Sequence, residues 1–152
     1  MRAYTVSAEI IGIPESVDPR TTEGKAGLAI AFQNVSTAVD ATGLCRFLIF
    51  GTTLERIRPI LTAATGIDLD DEELVRVGER IWNLERVWNM RAGFTAADDT
   101  LPKRILEEAI PSGPAQGEVN RLSEMLPDYY RERGWSAAGE PRADKLRELG
   151  IA

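Results

Sequence analysis

The residues best placed to do chemistry lie in one short run, Asp40-Ala41-Thr42-Gly43-Leu44-Cys45. Leu28, Phe32, Val35, Val39 and, more loosely, Thr42 lead into it at alternating spacings of four and three, which mark one face of a helix. Gly43 can end that helix in a left-handed cap. A carboxylate, a chain reversal and a thiol therefore fall together at a helix end. Asp40 is poorly placed for the helix dipole, which favours cations in the last turn. It can instead accept hydrogen bonds from a ligand's amine or amide donors. Cys45, as a thiolate, can ligate a soft metal centre. The competing reading makes Cys45 a small buried hydrophobe, the usual state of a free cysteine. A D-x-x-G-L-C string alone does not choose between the two.

Other candidates have plain alternatives. Asp98-Asp99 can be a carboxylate pair for metal or acid–base work, or can cap a turn or pair with Arg91 or Arg104. Trp82, Trp88 and Trp135, with Tyr129 and Tyr130, can stack on a ligand, or can be core and interface residues at helical spacing. Glu72, Glu73 and Glu79 read as a helix start and a solvated face.

The elements that must position these residues are helical. Residues 1–24 contain the strand-like Tyr4-Thr5-Val6 and Ile10-Ile11-Gly12-Ile13-Pro14, broken by glycine and proline, and read as an extended arm. Thr22 is the expected N-cap of the first helix. Residues 44–50 are apolar nearly all round, apart from Arg46, and are expected to be buried. Thr52 and Glu55 stand at capping-box spacing for a second helix with Leu54, Ile57, Leu61 and Ala64 inward. Gly66 closes it, and Pro59 should kink or break it.

Asp70 and Glu73 open the clearest helix, with Leu74, Val77, Ile81, Leu84 and Trp88 inward. Gly78 can allow a close helix approach within it, Arg76, Arg80, Glu79, Glu85 and Arg86 supply solvated or paired charges, and Gly93 ends it. Residues 94–118 read as an irregular loop with one turn near 104–109. A helix over about 119–133 faces Leu122, Met125, Leu126 and Tyr129 inward, Pro127 interrupts its pattern, and Gly134 caps it. A short helix over 143–149 ends at Gly150. The expected fold is all-α, an irregular bundle of about five to six helices, with an arm over 1–24 and a helical domain over 25–152.

Composition narrows the function. The chain has 152 residues, 24 acidic and 18 basic side chains, one cysteine and no histidine. One cysteine makes no internal disulfide and no complete zinc or iron–sulfur site. Without histidine there is no imidazole base and no Ser-His-Asp or Cys-His pair. The net charge of −6 argues against a nucleic-acid binder. No signal peptide is expected, and the longest apolar stretch, 47–50, is far too short to span a bilayer. The expectation is a cytoplasmic protein, poorly equipped as a self-contained catalyst.

Several segments taken together resemble the C-terminal region of the tungsten-containing aldehyde ferredoxin oxidoreductases. They begin with Thr22-Glu23-Gly24-Lys25, Gln33-Asn34 and Asp40 through Cys45-Arg46-Phe47. Gly66-Ile67-Asp68, Gly78 through Arg86, Asn89-Met90-Arg91-Ala92-Gly93-Phe94 and Leu101-Pro102-Lys103-Arg104 continue it. Tyr129-Tyr130, Arg133-Gly134-Trp135 and Leu146 through Gly150 complete it. The resemblance implies a domain of an enzyme that oxidises aldehydes to carboxylic acids, with ferredoxin as acceptor, through a tungsten (or molybdenum) bis-pterin centre near a 4Fe–4S cluster. It places Asp40, Gly43 and Leu44 at the pterin and makes Cys45 one cluster ligand. It assigns no catalytic residue here, because the family's other cluster cysteines, second pterin motif and proposed catalytic residues lie upstream. The chain then corresponds to roughly the last quarter of such an enzyme, as a fragment or a split subunit. Its partners would be the missing domains and ferredoxin, and a homodimer is compatible. By itself it is expected to bind neither cofactor and to be inactive. The alternative is a stand-alone helical interaction module that kept the fold without the chemistry. An independent hydrolase built on Asp98 and Asp99 lacks a recognisable nucleophile.

Overall fold

Helix α1, Lys25–Ala41, forms where the apolar spacing predicts it. Gly24, at φ 73°, takes the N-cap position expected of Thr22, whose carbonyl accepts from the Lys25 N–H instead. Val35, Ala38 and Val39 are buried, Leu28 and Phe32 only half-buried, and the polar Asn34 and Ser36 share the inner face. The computed structural model describes residues 18, 20–45, 47–48 and 52–151, so most of the expected N-terminal arm lies outside the described residues.

Helix α2, Leu54–Thr65, starts one residue later than the Thr52 signal, with Thr53 at the cap and no side-chain cap bond. It runs through Pro59, which loses one ladder bond on an exposed face. Leu54 and Ile57 are buried, but Ala64, expected inward, is exposed. Gly66 ends the helix at φ 74°.

Helix α3, Asp71–Arg91, has the cap its sequence predicts: Asp70 Oδ1 accepts from the Glu73 N–H at 2.7 Å. The Glu73 carboxylate turns to Arg80 instead, at 3.3 Å. Asp70→Ala should cost about 1 kcal/mol, read as a Tm lowered by about 2–4 °C in a thermal melt. The buried face differs from the apolar stripe. Leu74, Gly78, Asn83 and Arg86 are buried, whereas Leu84 and Trp88 are 52% and 68% exposed. The reason is packing: neighbours cover one side of α3, and its second half is held on that side by hydrogen bonds, Asn83 accepting from the Trp135 indole and Arg86 donating to the Gly139 carbonyl.

The expected loop over 94–118 contains a 3-10 turn, Ala96–Asp98, and a short helix α4, Lys103–Glu107. Helix α5, Leu122–Glu132, contains Pro127, and helix α6, Ala143–Glu148, is the last helix among the described residues. Arg76 and Arg80 donate to the carbonyls of Glu148 and Leu149, and Lys145 reaches Glu79 at 2.9 Å. The two arginine bonds satisfy carbonyls that every helix end leaves open. Six α-helices and no strand occur among the described residues, as expected of an all-α bundle. The apolar core joins α1, α2 and α3 through Val35, Ala38, Val39, Leu54, Ile57 and Leu74.

Candidate functional site

The Asp40–Cys45 turn is built by local bonds. Thr42 Oγ1 donates to the Val39 carbonyl at 2.7 Å and accepts from the Leu44 N–H at 3.1 Å. Gly43 donates to the Asp40 carbonyl and reverses the chain at φ 76°, a conformation that costs a side-chain-bearing residue energy. Leu44 packs against the core and anchors the turn, while Asp40 and Cys45 stay exposed on either side of it. Cys45 is therefore not the small buried hydrophobe of the competing reading, and its thiol is free. The segment expected to be buried is exposed where it is described: Phe47 is 76% and Leu48 42% exposed. An apolar run is buried only if its neighbours cover it fully, and at Phe47 and Leu48 they do not.

Asp40 also lines a hollow of about 530 Å³ between α1 and α3, walled by Phe32, Thr37, Ile81, Trp82 and Glu85. Across Gln33 and Trp82, a second hollow of about 570 Å³ reaches Arg86, Asp99, Tyr129 and Tyr130. Its polar wall is a network for which the sequence offered only fragments. Arg86 makes a bidentate pair with Asp99, 2.8 and 2.6 Å, and its Nε donates to the Gly139 carbonyl at 2.9 Å. Tyr130 donates its hydroxyl to the same carboxylate, and the Arg86 guanidinium lies 5.0 Å over the Trp135 ring. Asp98 caps the 3-10 turn by accepting from the Thr95 N–H. The Asp98-Asp99 pair is thus structural, and the partner of Asp99 is Arg86, not Arg91 or Arg104.

Arg133 is wholly buried between Trp82 and Tyr129. It donates to Asn34 Oδ1 and Gln33 Oε1, both at 2.7 Å, which ties α5 to α1. Trp135 donates to Asn83 Oδ1 and Trp82 to the Tyr129 hydroxyl. Trp135 is therefore a bonded interior residue, as the core alternative has it, Trp82 is hydrogen-bonded but half-buried, and Trp88 is exposed. Polar residues inside the α1 inner face (Gln33-Asn34) were the sequence signal for a buried cation.

The electrostatics follow from these contacts. Burial pushes the Asp99 carboxyl up, but hydrogen bonds from Arg86 and Tyr130 and the Arg86 charge outweigh it and hold it below the usual range. Burial and the Asp99 carboxylate push the Tyr130 phenol up to about 12. Burial lowers Arg133 despite the help of Tyr129. Tyr130 therefore serves as a fixed donor, and the network's groups are spent on one another. It positions α1 and α3, and the free thiol of Cys45 lies outside it. No group of three or more His, Cys, Asp or Glu side chains that could hold a metal occurs among the described residues, and no described helix is long and apolar enough to cross a membrane.

The fold itself has a solved counterpart. A chain of the active-site complex BamBC of benzoyl coenzyme A reductase, solved with 1,5-dienoyl-CoA, superposes with a TM-score of 0.66. The match covers 89% of this chain and 20% of that one, at 23% identity, and so speaks for the fold alone. The lineage is set by sequence: residues 1–151 match the family described as aldehyde ferredoxin oxidoreductase, domains 2 and 3. The chain belongs to the aldehyde ferredoxin oxidoreductase family. It is 46% identical over 154 aligned positions to a tungsten-containing aldehyde ferredoxin oxidoreductase of Pyrococcus furiosus and 47% to one of Thermococcus kodakarensis. It is 31% identical over 126 positions to a P. furiosus aliphatic sulfonate oxidoreductase, WOR-like subunit, covering 77% of this chain and 20% of that protein. All of this chain aligns with the first two relatives but only 26% of either of them, so it spans about a quarter of their length.

Proposed function

We propose that this chain is the helical, cofactor-contacting part of an aldehyde ferredoxin oxidoreductase. In this reading Asp40, Gly43 and Leu44 contact a pterin, and Cys45 supplies one thiolate to a 4Fe–4S cluster whose other ligands lie outside the chain. The observation that carries it is the exposed turn: one free thiol and one carboxylate at the surface, held by a core-packed leucine and a left-handed glycine. This donor set fits a shared site. A carboxylate matches the amino and ring N–H donors of a pterin, a glycine lets backbone approach closely, and thiolate suits iron. A lone thiol cannot hold a cluster by itself.

When bound, the tungsten (or molybdenum) bis-pterin centre and cluster supply the oxidation of aldehyde to carboxylic acid and electron passage to ferredoxin. The chain's own residues bind and orient; none is catalytic. The exposed Phe47, Leu84 and Trp88 fit faces that meet the remaining domains of the enzyme. The working enzyme would sit in the cytoplasm, and a homodimer is compatible with this surface. Anaerobic iron–sulfide reconstitution of the chain alone should yield no monomeric 4Fe–4S spectrum. Assembled with the remaining domains, the enzyme should lose the cluster signal with Cys45→Ser and keep it with Ser36→Ala. A 4Fe–4S spectrum from the monomeric chain, or from the assembled Cys45→Ser enzyme, would sink the one-ligand assignment.

A further inference from the structure

Gln33 meets the buried network with only one end of its amide. Its Oε1 accepts from Arg133 Nη2 at 2.7 Å and from the Tyr129 hydroxyl at 2.8 Å. An arginine can only donate, so the atom facing it must be the amide oxygen. The Nε2 end is thereby turned away from both donors, and it makes no hydrogen bond among the described residues. The amide is held firmly. Arg133 is wholly buried, and its hydrogen-bond partners Gln33, Asn34 and Tyr129 are all neutral. A buried cation bonded to a neutral amide draws electron density towards the amide oxygen and makes the N–H groups stronger donors. Trp82 donates in turn to the Tyr129 hydroxyl at 2.9 Å, so its flat ring is fixed too.

Gln33 and Trp82 both line the hollow of about 570 Å³, with Leu126, Tyr129 and Tyr130 from α5. Glu85, exposed and one helical turn beyond Trp82 on α3, lines it as well. Aromatic and apolar walls with a few fixed polar groups are the make-up of a small-molecule site. Here α1 supplies a fixed donor and α3 a carboxylate acceptor. We propose that this hollow binds a neutral aromatic carboxamide. Its ring lies against Trp82 and Leu126, its carbonyl accepts from Gln33 Nε2, and its N–H donates to Glu85. The charges favour a neutral ligand. Arg86 and Asp99 answer each other, and among the other ionised lining residues Glu85 and Asp98 outnumber Lys25. A carboxylate would meet that surplus of acid, and an amine would leave the Gln33 donors unpaired. Asp40 lines the neighbouring hollow, and the inference does not rest on the cofactor reading.

The test is an NMR titration of the full nitrogen-15 chain with benzamide. The Gln33 side-chain NH2 signals should shift saturably, with a Kd of about 1 mM. N,N-dimethylbenzamide keeps the carbonyl but has no N–H, and should bind about five- to tenfold more weakly. Gln33→Glu is the deciding variant. It keeps oxygens for Arg133 and Tyr129 and removes the donors, so it should melt no lower than the parent and lose benzamide affinity about tenfold or more. Glu85→Ala should remove the preference for benzamide over its dimethyl derivative. Benzamide that leaves the Gln33 side-chain signals unmoved, or that binds Gln33→Glu as tightly as the parent, would overturn the proposal. So would a preference for benzamide that survives Glu85→Ala. If Gln33→Glu melts lower than the parent, the parent's own Gln33 signals decide.

Discussion

Gly78→Val is expected to stop the chain from folding into this bundle. A Cβ at Gly78 would lie 1.9 Å from the Asn34 carbonyl oxygen and 2.7 Å from its carbon. Both atoms belong to the α1 backbone, which cannot rotate away as a side chain would, so the two helices must separate. Separation opens the core seam of Val35, Ala38 and Val39 against Leu74 and pulls on the bonds from Arg133 to Asn34 and Gln33. Overpacking in a core costs about 1–3 kcal/mol and more where backbone must move, against a total stability of about 5–15 kcal/mol. Gly78→Ala should lose about 3 kcal/mol or more, and Gly78→Val should abolish the cooperative urea transition. Gly27→Ala is the matched control. Its new Cβ meets only Glu132 Oε2, at 3.2 Å, at the end of a flexible side chain. With the helix propensity gained, its change should stay within about 1 kcal/mol. If Gly78→Ala unfolds at the urea midpoint of the parent, the close approach of α1 and α3 is wrong.

The second large effect is expected at Asp99. The Arg86 side chain is only 10% exposed, and its charge is answered by the bidentate Asp99 carboxylate. Asp99→Ala leaves that guanidinium facing the Trp135 ring and a single carbonyl, and it strips Tyr130 of its acceptor. Breaking a buried pair from one side costs about 3–5 kcal/mol. Arg86→Met with Asp99→Asn should recover much of that loss, because no unpaired charge remains; a double-mutant cycle in urea reads the coupling.

The same pair sets an acid dependence. The folded Asp99 carboxyl titrates below its unfolded value of about 3.9. Its contribution is therefore fully present above that value and lost as pH falls through the lower folded one. Below about pH 4 the urea midpoint should drop with acidity, and the Asp99→Asn protein should lack that part of the slope. Tyr130, pushed up to about 12, stays a neutral donor throughout. A mutant with the parental acid slope would show that Asp99 is not the carboxylate responsible.

Much of the helical framework is legible in the sequence because its signals are local. The Asp70 cap, the left-handed glycines at 43, 66 and 134 and the spacing of Val35 and Val39 act within a turn or two of chain. The same is true of the Asp40–Cys45 turn, whose bonds span at most a few residues. Errors of one or two positions at Thr22 and Thr52 are cap choices between neighbours of similar propensity. The errors of substance concern which surface is covered. The stripe ending in Leu84 and Trp88 has helical spacing, yet Asn83 and Arg86 are the residues inside, and Cys45 and Phe47 are outside despite an apolar neighbourhood.

By itself, then, the sequence determined the helix count and order, the carboxylate–glycine–cysteine turn and the family resemblance. It also limits the chain to one thiolate ligand and no imidazole. Only the tertiary structure decided that Asp99 belongs to Arg86, that Arg133 crosses to Gln33 and Asn34, and that Gly78 lies under the Asn34 carbonyl. The physical reason is separation along the chain. Caps and turns are settled by neighbours, while burial and pairing depend on residues up to about a hundred positions away, as Arg133 and Gln33 are. Their meeting follows from how whole helices pack.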